Sequence, residues 1–212
     1  MTAEPADDPS RSVGLAPLPP DQWGDAEYDA YGSLLGIPGD KVPRAGSGHR
    51  YDPLNFSVVG TFMHHPELAK HFLAFNNYQL QRGSLPVRWR ELAILRVAHR
   101  RQSAYEWGQH VTMALDADIT SEEIDRLVAG NDGFDGVDRL VLEAADELLV
   151  EGRIGDDLSV RLAAELDTHQ VMDLVFVVGT YNMLAMAFAT WRLVPEAGTA
   201  ALPPPPRGHR PA

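Results

Sequence analysis

Residues 91–115 read ELAILRVAHRRQSAYEWGQHVTMAL, and their periodicity decides the fold. Leu92, Ile94, Leu95 and Val97, then Val111 and Leu115, recur at helical spacing, with a break near Arg100–Gln102. The stretch therefore predicts two helices joined by a short turn. The first carries Glu91 and the second carries Glu106 and His110. Glu106 and His110 lie four residues apart, which puts a carboxylate and an imidazole on one helical face about one turn apart. An acid and a histidine bordering a core are either paired structurally or poised for proton transfer. Glu106 also completes a capping-box pattern, Ser103-Ala-Tyr-Glu106, so its carboxylate has a competing use at the helix start.

Outward from this pair the same pattern persists. Leu54, Val58 and Phe62 form one stripe, and Leu68, Phe72, Phe75 and Leu80 form another, with Pro66 opening a helix that His65 caps. Ser84 caps the helix that follows, with Pro86 in its first turn. Downstream, Thr120–Glu123 and Asp167–Gln170 are further capping boxes, and residues 136–150 carry Leu140, Ala144 and Leu148 on one stripe. A last long helix runs to about Trp191. No segment alternates with period two. The expected fold is all-α, about eight helices spanning residues 51–195. Before it come a disordered tail over 1–20 and an aromatic-bearing arm over 21–50. After it, residues 196–212 form a proline-rich tail expected to be extended and mobile.

Composition excludes several classes. The net charge of −12 argues against a nucleic-acid surface. With no cysteine, disulfides, thiolate catalysis and Cys-based metal sites are excluded. The first twenty residues lack the apolar stretch of a secretory signal. The most apolar segment, 171–191, is interrupted by Asp173 and Asn182 and reads as a buried helix rather than a membrane span. A cytoplasmic protein is expected. His64 and His65 are adjacent and cannot face one way on a helix, so they make no metal site with His71.

The stretch LPVRWRELAILRVAHRRQSAYEWGQHVTMALDADITSEEI (85–124) resembles the carboxymuconolactone decarboxylase family, of the alkylhydroperoxidase D-like superfamily. FMHHPELAKHFLAFNNYQLQRGSLP (62–86) and DLVFVVGTYNMLAMAFATW (173–191) are similar to that family's preceding helix pair and closing helix. The resemblance implies an alkylhydroperoxidase D-like helical bundle that assembles into trimers or hexamers. Peroxidase-type members carry a glutamate, then CxxC, then a histidine. Here the glutamate falls on Glu91 and the histidine on His110, while the cysteine positions hold Ser103 and Glu106. Serine supplies no thiolate at neutral pH, so thiol peroxidase chemistry is ruled out.

Glu106-Trp107-x-x-His110 resembles instead the decarboxylase-type branch, in which a small carboxylated lactone loses CO2 without metal or organic cofactor. Such chemistry needs a held carboxylate, a partner for the developing enolate and a proton for the carbon left behind. His110 is the candidate proton donor. Glu106 is the candidate holder of its ring, and Glu91 a second acid or base. Arg96 or Arg90 would bind a substrate carboxylate. Ser103, His99, His64 and Tyr181 are further candidates for substrate contact. The partner expected is a small molecule, with a second copy of the chain. An oxygenase or isomerase on the same scaffold, or a non-catalytic oligomeric binding protein, are the alternatives.

Overall fold

A computed structural model describes residues 13–205. Among these residues there are nine α-helices and no strand: α1 (Asp25–Leu35), α2 (Ser57–Phe62), α3 (Pro66–Gln81), α4 (Val87–Arg101), α5 (Ala104–Asp116), α6 (Ser121–Ala129), α7 (Gly136–Glu151), α8 (Asp156–Glu165) and α9 (Thr168–Trp191). The expected all-α fold is the one found, and α4 lies at its centre, packed against α5, α7 and α9. Ten consecutive residues of α4, Arg90 to His99, are buried. A helix buried on all sides normally has only apolar side chains. This one also buries Arg90, Glu91, Arg96 and His99, so each of these must find partners inside the protein.

Local chemistry sets the ends of the helices. α4 stops at Gln102, which adopts the left-handed conformation (φ 53°). A non-glycine residue there is strained by about 1–2 kcal/mol. Its own side chain offsets this by donating to the His99 carbonyl at 2.7 Å. The turn is then closed by Ser103 N–H donating to the Ala98 carbonyl at 2.9 Å. His65 caps α3 through Nδ1, and the capping boxes Thr120–Glu123 and Asp167–Gln170 both form. Two expected caps do not. Ser84 turns instead to Asp173, donating from its backbone N–H (2.5 Å) and its hydroxyl (2.6 Å) to Oδ2, so α4 begins behind Pro86 without a side-chain cap. Ser103 caps nothing with its hydroxyl, and Glu106 does not reach back to it.

The buried face of α3 is rotated from the expected stripe. It consists of Ala69, Leu73, Asn76 and Gln79, while Leu68 and Phe75 face outward. The close approach of α1 selects the small Ala69, and two amides take positions that a pattern of large apolar residues would have missed. α1 lies against α3, and Trp23 packs edge to face with both Tyr28 and Tyr31 in the core. α9 is long and apolar enough, by length and composition, to cross a membrane. Here it lies against α4, α5, α7 and α8, with Leu174, Val177, Val178, Tyr181, Leu184 and Phe188 buried.

The C-terminal segment departs most from expectation. Rather than trailing into solvent, residues 193–205 run back across α2 and α5. The Glu196 carboxylate accepts from Ser57 N–H at 2.7 Å, Gln109 Nε2 at 2.6 Å and the Tyr105 hydroxyl at 3.1 Å. Leu202 packs on the core, and the Pro204 carbonyl lies 3.2 Å from His99 Nε2. Residues 206–212, and residues 1–12 of the N-terminal tail, lie outside the described residues. Residues 13–20 lie against the body, with Leu15 N–H donating to the Trp191 carbonyl and Leu18 N–H to the Gly60 carbonyl, each at 2.9 Å.

Gly108 is where this strap touches α5 most closely: a Cβ there would meet the Thr199 side chain at 2.9 Å. Gly108→Ala should therefore lift the strap at a cost of about 1–3 kcal/mol. Hydrogen exchange over residues 196–205 should rise while α4 stays protected. Unchanged exchange in that segment would show that the contact does not hold the strap down.

Candidate active site

Glu91 and His110 meet across the α4–α5 pair. His110 Nδ1 lies 2.7 Å from Glu91 Oε2, and both side chains are buried. A carboxylate only accepts, so Nδ1 carries the proton and Nε2 is left as the reactive nitrogen. The other oxygen of Glu91 accepts from Arg90 Nε at 2.9 Å, and Arg90 Nη1 donates to the Leu80 carbonyl at 2.8 Å. Burial alone would push the Glu91 carboxyl up. The His110 ring and the Arg90 guanidinium outweigh it and hold the group below the usual carboxylate range. Glu91 is therefore an anion at neutral pH, although its side chain is wholly enclosed.

His110 opens on a cavity of about 150 Å³. Its walls are mainly apolar, with Phe62, Phe72, Leu73, Met113, Leu184 and Phe188 prominent. Asn76, Tyr105, Glu106, Gln109, His110 and Tyr181 supply the polar atoms. An apolar cavity of about this size holds a benzene-sized ring. Tyr181 packs edge to face on His110, with ring centroids 4.8 Å apart at 90°. Burial, and then the Glu91 charge, raise its phenol far above the ordinary value, so it stays protonated.

Glu106 is the most unusual group in the cavity. It is 2% exposed, and neither carboxyl oxygen has a hydrogen-bond partner. Burial is the larger influence on its carboxyl, and its polar neighbour Ser103 acts in the opposite direction. Burial pushes the carboxyl up to about 8, so the group is a neutral acid at pH 7. The expected role of Glu106 as holder of the His110 ring falls to Glu91, on the other helix.

The structure thus brings His110, Glu91, Glu106 and Tyr181 together. It does not bring Arg96, His99, His64 or Ser103 to the cavity wall. Arg96 is fully buried toward α7, bonded to the Gly130 carbonyl and to Asn131 Oδ1 and 3.9 Å from Asp146. His99 lies under the strap, against Trp107 with ring centroids 5.9 Å apart. His64 is exposed and bonds the Ala16 carbonyl at 2.8 Å. Ser103 is buried at the helix junction behind Glu106. Arg90 lies at the site but is engaged by Glu91 and Leu80, and among the described residues neither lysine nor arginine lines the cavity. Asn76, Gln109 and Tyr105 were not anticipated. An amide at position 76, in register with Ala69 and Leu73, is the signal that could have found the first.

The described helices share the fold of alkylhydroperoxidase D-like proteins. Residues 66–147, from the start of α3 into α7, match the model of the Carboxymuconolactone decarboxylase family, in a chain that lacks cysteine. Two solved structures share the fold. One is a protein of unknown function from Agrobacterium tumefaciens, named as a candidate antioxidant defence protein AhpD. It is 18% identical with a TM-score of 0.58, and the match covers 64% of this chain and 95% of that one. The other is an uncharacterized peroxidase-related protein from Silicibacter sp. TM1040, 18% identical with a TM-score of 0.60, covering 66% of this chain and 76% of that one. At this identity the likeness concerns the fold alone. Among curated proteins nothing matches.

The raised Glu106 carboxyl makes a prediction for stability. A folded pKa near 8 against an unfolded value near 4.5 means that the native state binds the extra proton between those limits. Stability from this group is therefore lost as pH rises through that window, by about 1 kcal/mol per pH unit. Glu106→Gln should remove that slope, so that wild type and variant converge near pH 5 and the variant is the more stable at pH 8. Parallel urea melts across pH 5–8 would refute the assignment if the difference between the two proteins did not change with pH.

Proposed function

We propose that this chain is a cofactor-free acid–base enzyme of the decarboxylase-like lyase type, moving a proton at the carbon next to a carbonyl of a small, single-ring substrate. The observation that carries this reading is the His110 ring in the cavity wall, its Nδ1–H fixed on the buried Glu91 anion and its Nε2 left free to exchange a proton. The match of residues 66–147 to the Carboxymuconolactone decarboxylase family supports it.

In decarboxylation of a carboxylated lactone, the C–C bond to the carboxylate breaks and CO2 leaves. The electron pair passes into an enolate, and the Nε2–H of a protonated His110 delivers the proton to carbon. Glu91 keeps the ring in one tautomer and orientation and balances the charge of its protonated form. A second reading, isomerisation, uses the same nitrogen to remove a proton from one carbon and return it to another. Among the described residues no lysine or arginine lines the cavity to hold a substrate carboxylate, which favours this reading.

The decisive assay pairs CO2 release from carboxymuconolactone with deuterium uptake from D2O next to the carbonyl of ring ketones and lactones. Wild type should show at least one of these activities, and His110→Ala should lose it by roughly 100- to 10,000-fold. Full activity in the variant would remove His110 from the chemistry.

We also propose that the protein works in the cytoplasm as a homo-oligomer. On α9, Met172, Phe176, Met183 and Met186 form an exposed apolar stripe, extended by Phe75 of α3, whose ring lies 6.0 Å from that of Phe176. Copies of a chain carrying a net charge of −12 repel one another least through a face without charge. Phe176→Asp should lower the mass measured by light scattering at micromolar concentration. A wild-type monomer under the same conditions would overturn the proposal.

A further inference from the structure

We infer that Glu106 and Asn76 form a subsite that donates hydrogen bonds to the uncharged carbonyl oxygen of a single-ring ketone or lactone. This rests on the acid–base reading of the same cavity and assigns the part of it that the His110–Glu91 pair does not use.

Both residues line the cavity, and both are more than nine-tenths buried: Glu106 is 2% exposed and Asn76 8%. Neither Glu106 oxygen has a protein partner, and Asn76 Nδ2 is also without one. A buried polar group left unpaired is destabilising by about 1–3 kcal/mol. Two such groups facing one apolar cavity are more simply explained by a ligand that pairs with them than by independent defects of packing. Both line the same cavity as Tyr181 and His110.

The chemistry of the donors narrows the ligand. A carboxyl kept neutral by apolar surroundings is a hydrogen-bond donor rather than an anion. An amide N–H is a second, uncharged donor. Together they suit an oxygen that accepts two hydrogen bonds and gains negative charge during reaction, as a carbonyl does when its neighbouring carbon loses a proton or CO2. They do not suit a carboxylate, which would need a cation. The apolar walls, dominated by phenylalanine and leucine, and a volume of about 150 Å³ fit one ring. Glu106 thereby acts on the oxygen of the substrate while His110 acts on its carbon.

The test uses the full chain with 2-cyclohexenone as probe, read by calorimetry and by the carbonyl stretch in infrared difference spectra. Wild type should bind the ketone and lower its stretching frequency, while cyclohexene and benzoate bind at least roughly tenfold more weakly. Glu106→Leu and Asn76→Leu, which keep the volume and remove the donor, should each weaken ketone binding roughly tenfold and reduce the frequency shift. Glu106→Gln, which retains a donor, should preserve most of both. His110→Ala should leave binding and shift intact and abolish deuterium uptake. An unshifted carbonyl in wild type, an undiminished shift in both leucine variants, or benzoate binding as tightly as the ketone would each overturn the subsite. Deuterium uptake surviving in His110→Ala, with the shift intact, would instead sink the acid–base reading alone.

Discussion

The structure depends on one buried anion. Glu91 is wholly enclosed and ionised, and it is tolerable only because Arg90 and His110 engage its two oxygens separately. Removing one partner of such a pair typically destabilises a protein by about 3–5 kcal/mol, because the remaining charge is left buried alone. The same group ties three elements together. Arg90 reaches back to the last turn of α3 through the Leu80 carbonyl, Glu91 belongs to α4, and His110 to α5. The polar wall of the cavity thus has a fixed geometry before any ligand arrives, and preorganised groups of this kind are what acid–base chemistry requires.

The rest of the cavity works by contrast with that wall. α2, α3, α5 and α9 contribute chiefly phenylalanine, leucine, valine and methionine. Such a lining is a poor setting for an ionised carboxylate, and among the described residues no lysine or arginine lines the space. Two glutamates only fifteen positions apart therefore sit in opposite protonation states. Glu91 is held down by its partners, and Glu106 is pushed up by having none. Titratable pairs driven apart in this way are the usual mark of assigned acid and base roles.

Much of the fold was legible because helical periodicity and capping chemistry are local. The break at Arg100–Gln102, the caps at His65, Thr120 and Asp167 and the all-α class follow from a few neighbouring residues each. His110, Glu91, Glu106 and Tyr181, which the fold brings together, stand out in the sequence because charged or polar residues amid apolar helical runs are conspicuous. Their division of labour was not legible. Spacing along α5 pairs Glu106 with His110, yet the bond that forms crosses between helices, and no one-dimensional pattern encodes that crossing. Arg96 and His99 were misread for a related reason. Both lie on α4, but their helical positions turn them toward α7 and the C-terminal strap rather than toward the cavity. A proline-rich tail carries no periodicity at all, so its docking through one glutamate left no trace in sequence.

That docking bears on the site itself. Ser57 and Glu196, joined at 2.7 Å, are separated by 139 positions in the chain. The same carboxylate accepts from Tyr105 and Gln109, both of which line the cavity. The strap thus braces α5, the helix on which Glu106 is mounted. In the resemblance to peroxidase-type relatives, position 106 is that of a reactive thiol, which works best where solvent and oxidant can reach it. A carboxylic acid at the same position has the reverse requirement, since it keeps its proton only while water is kept out. The braced, apolar enclosure around Glu106 meets that requirement.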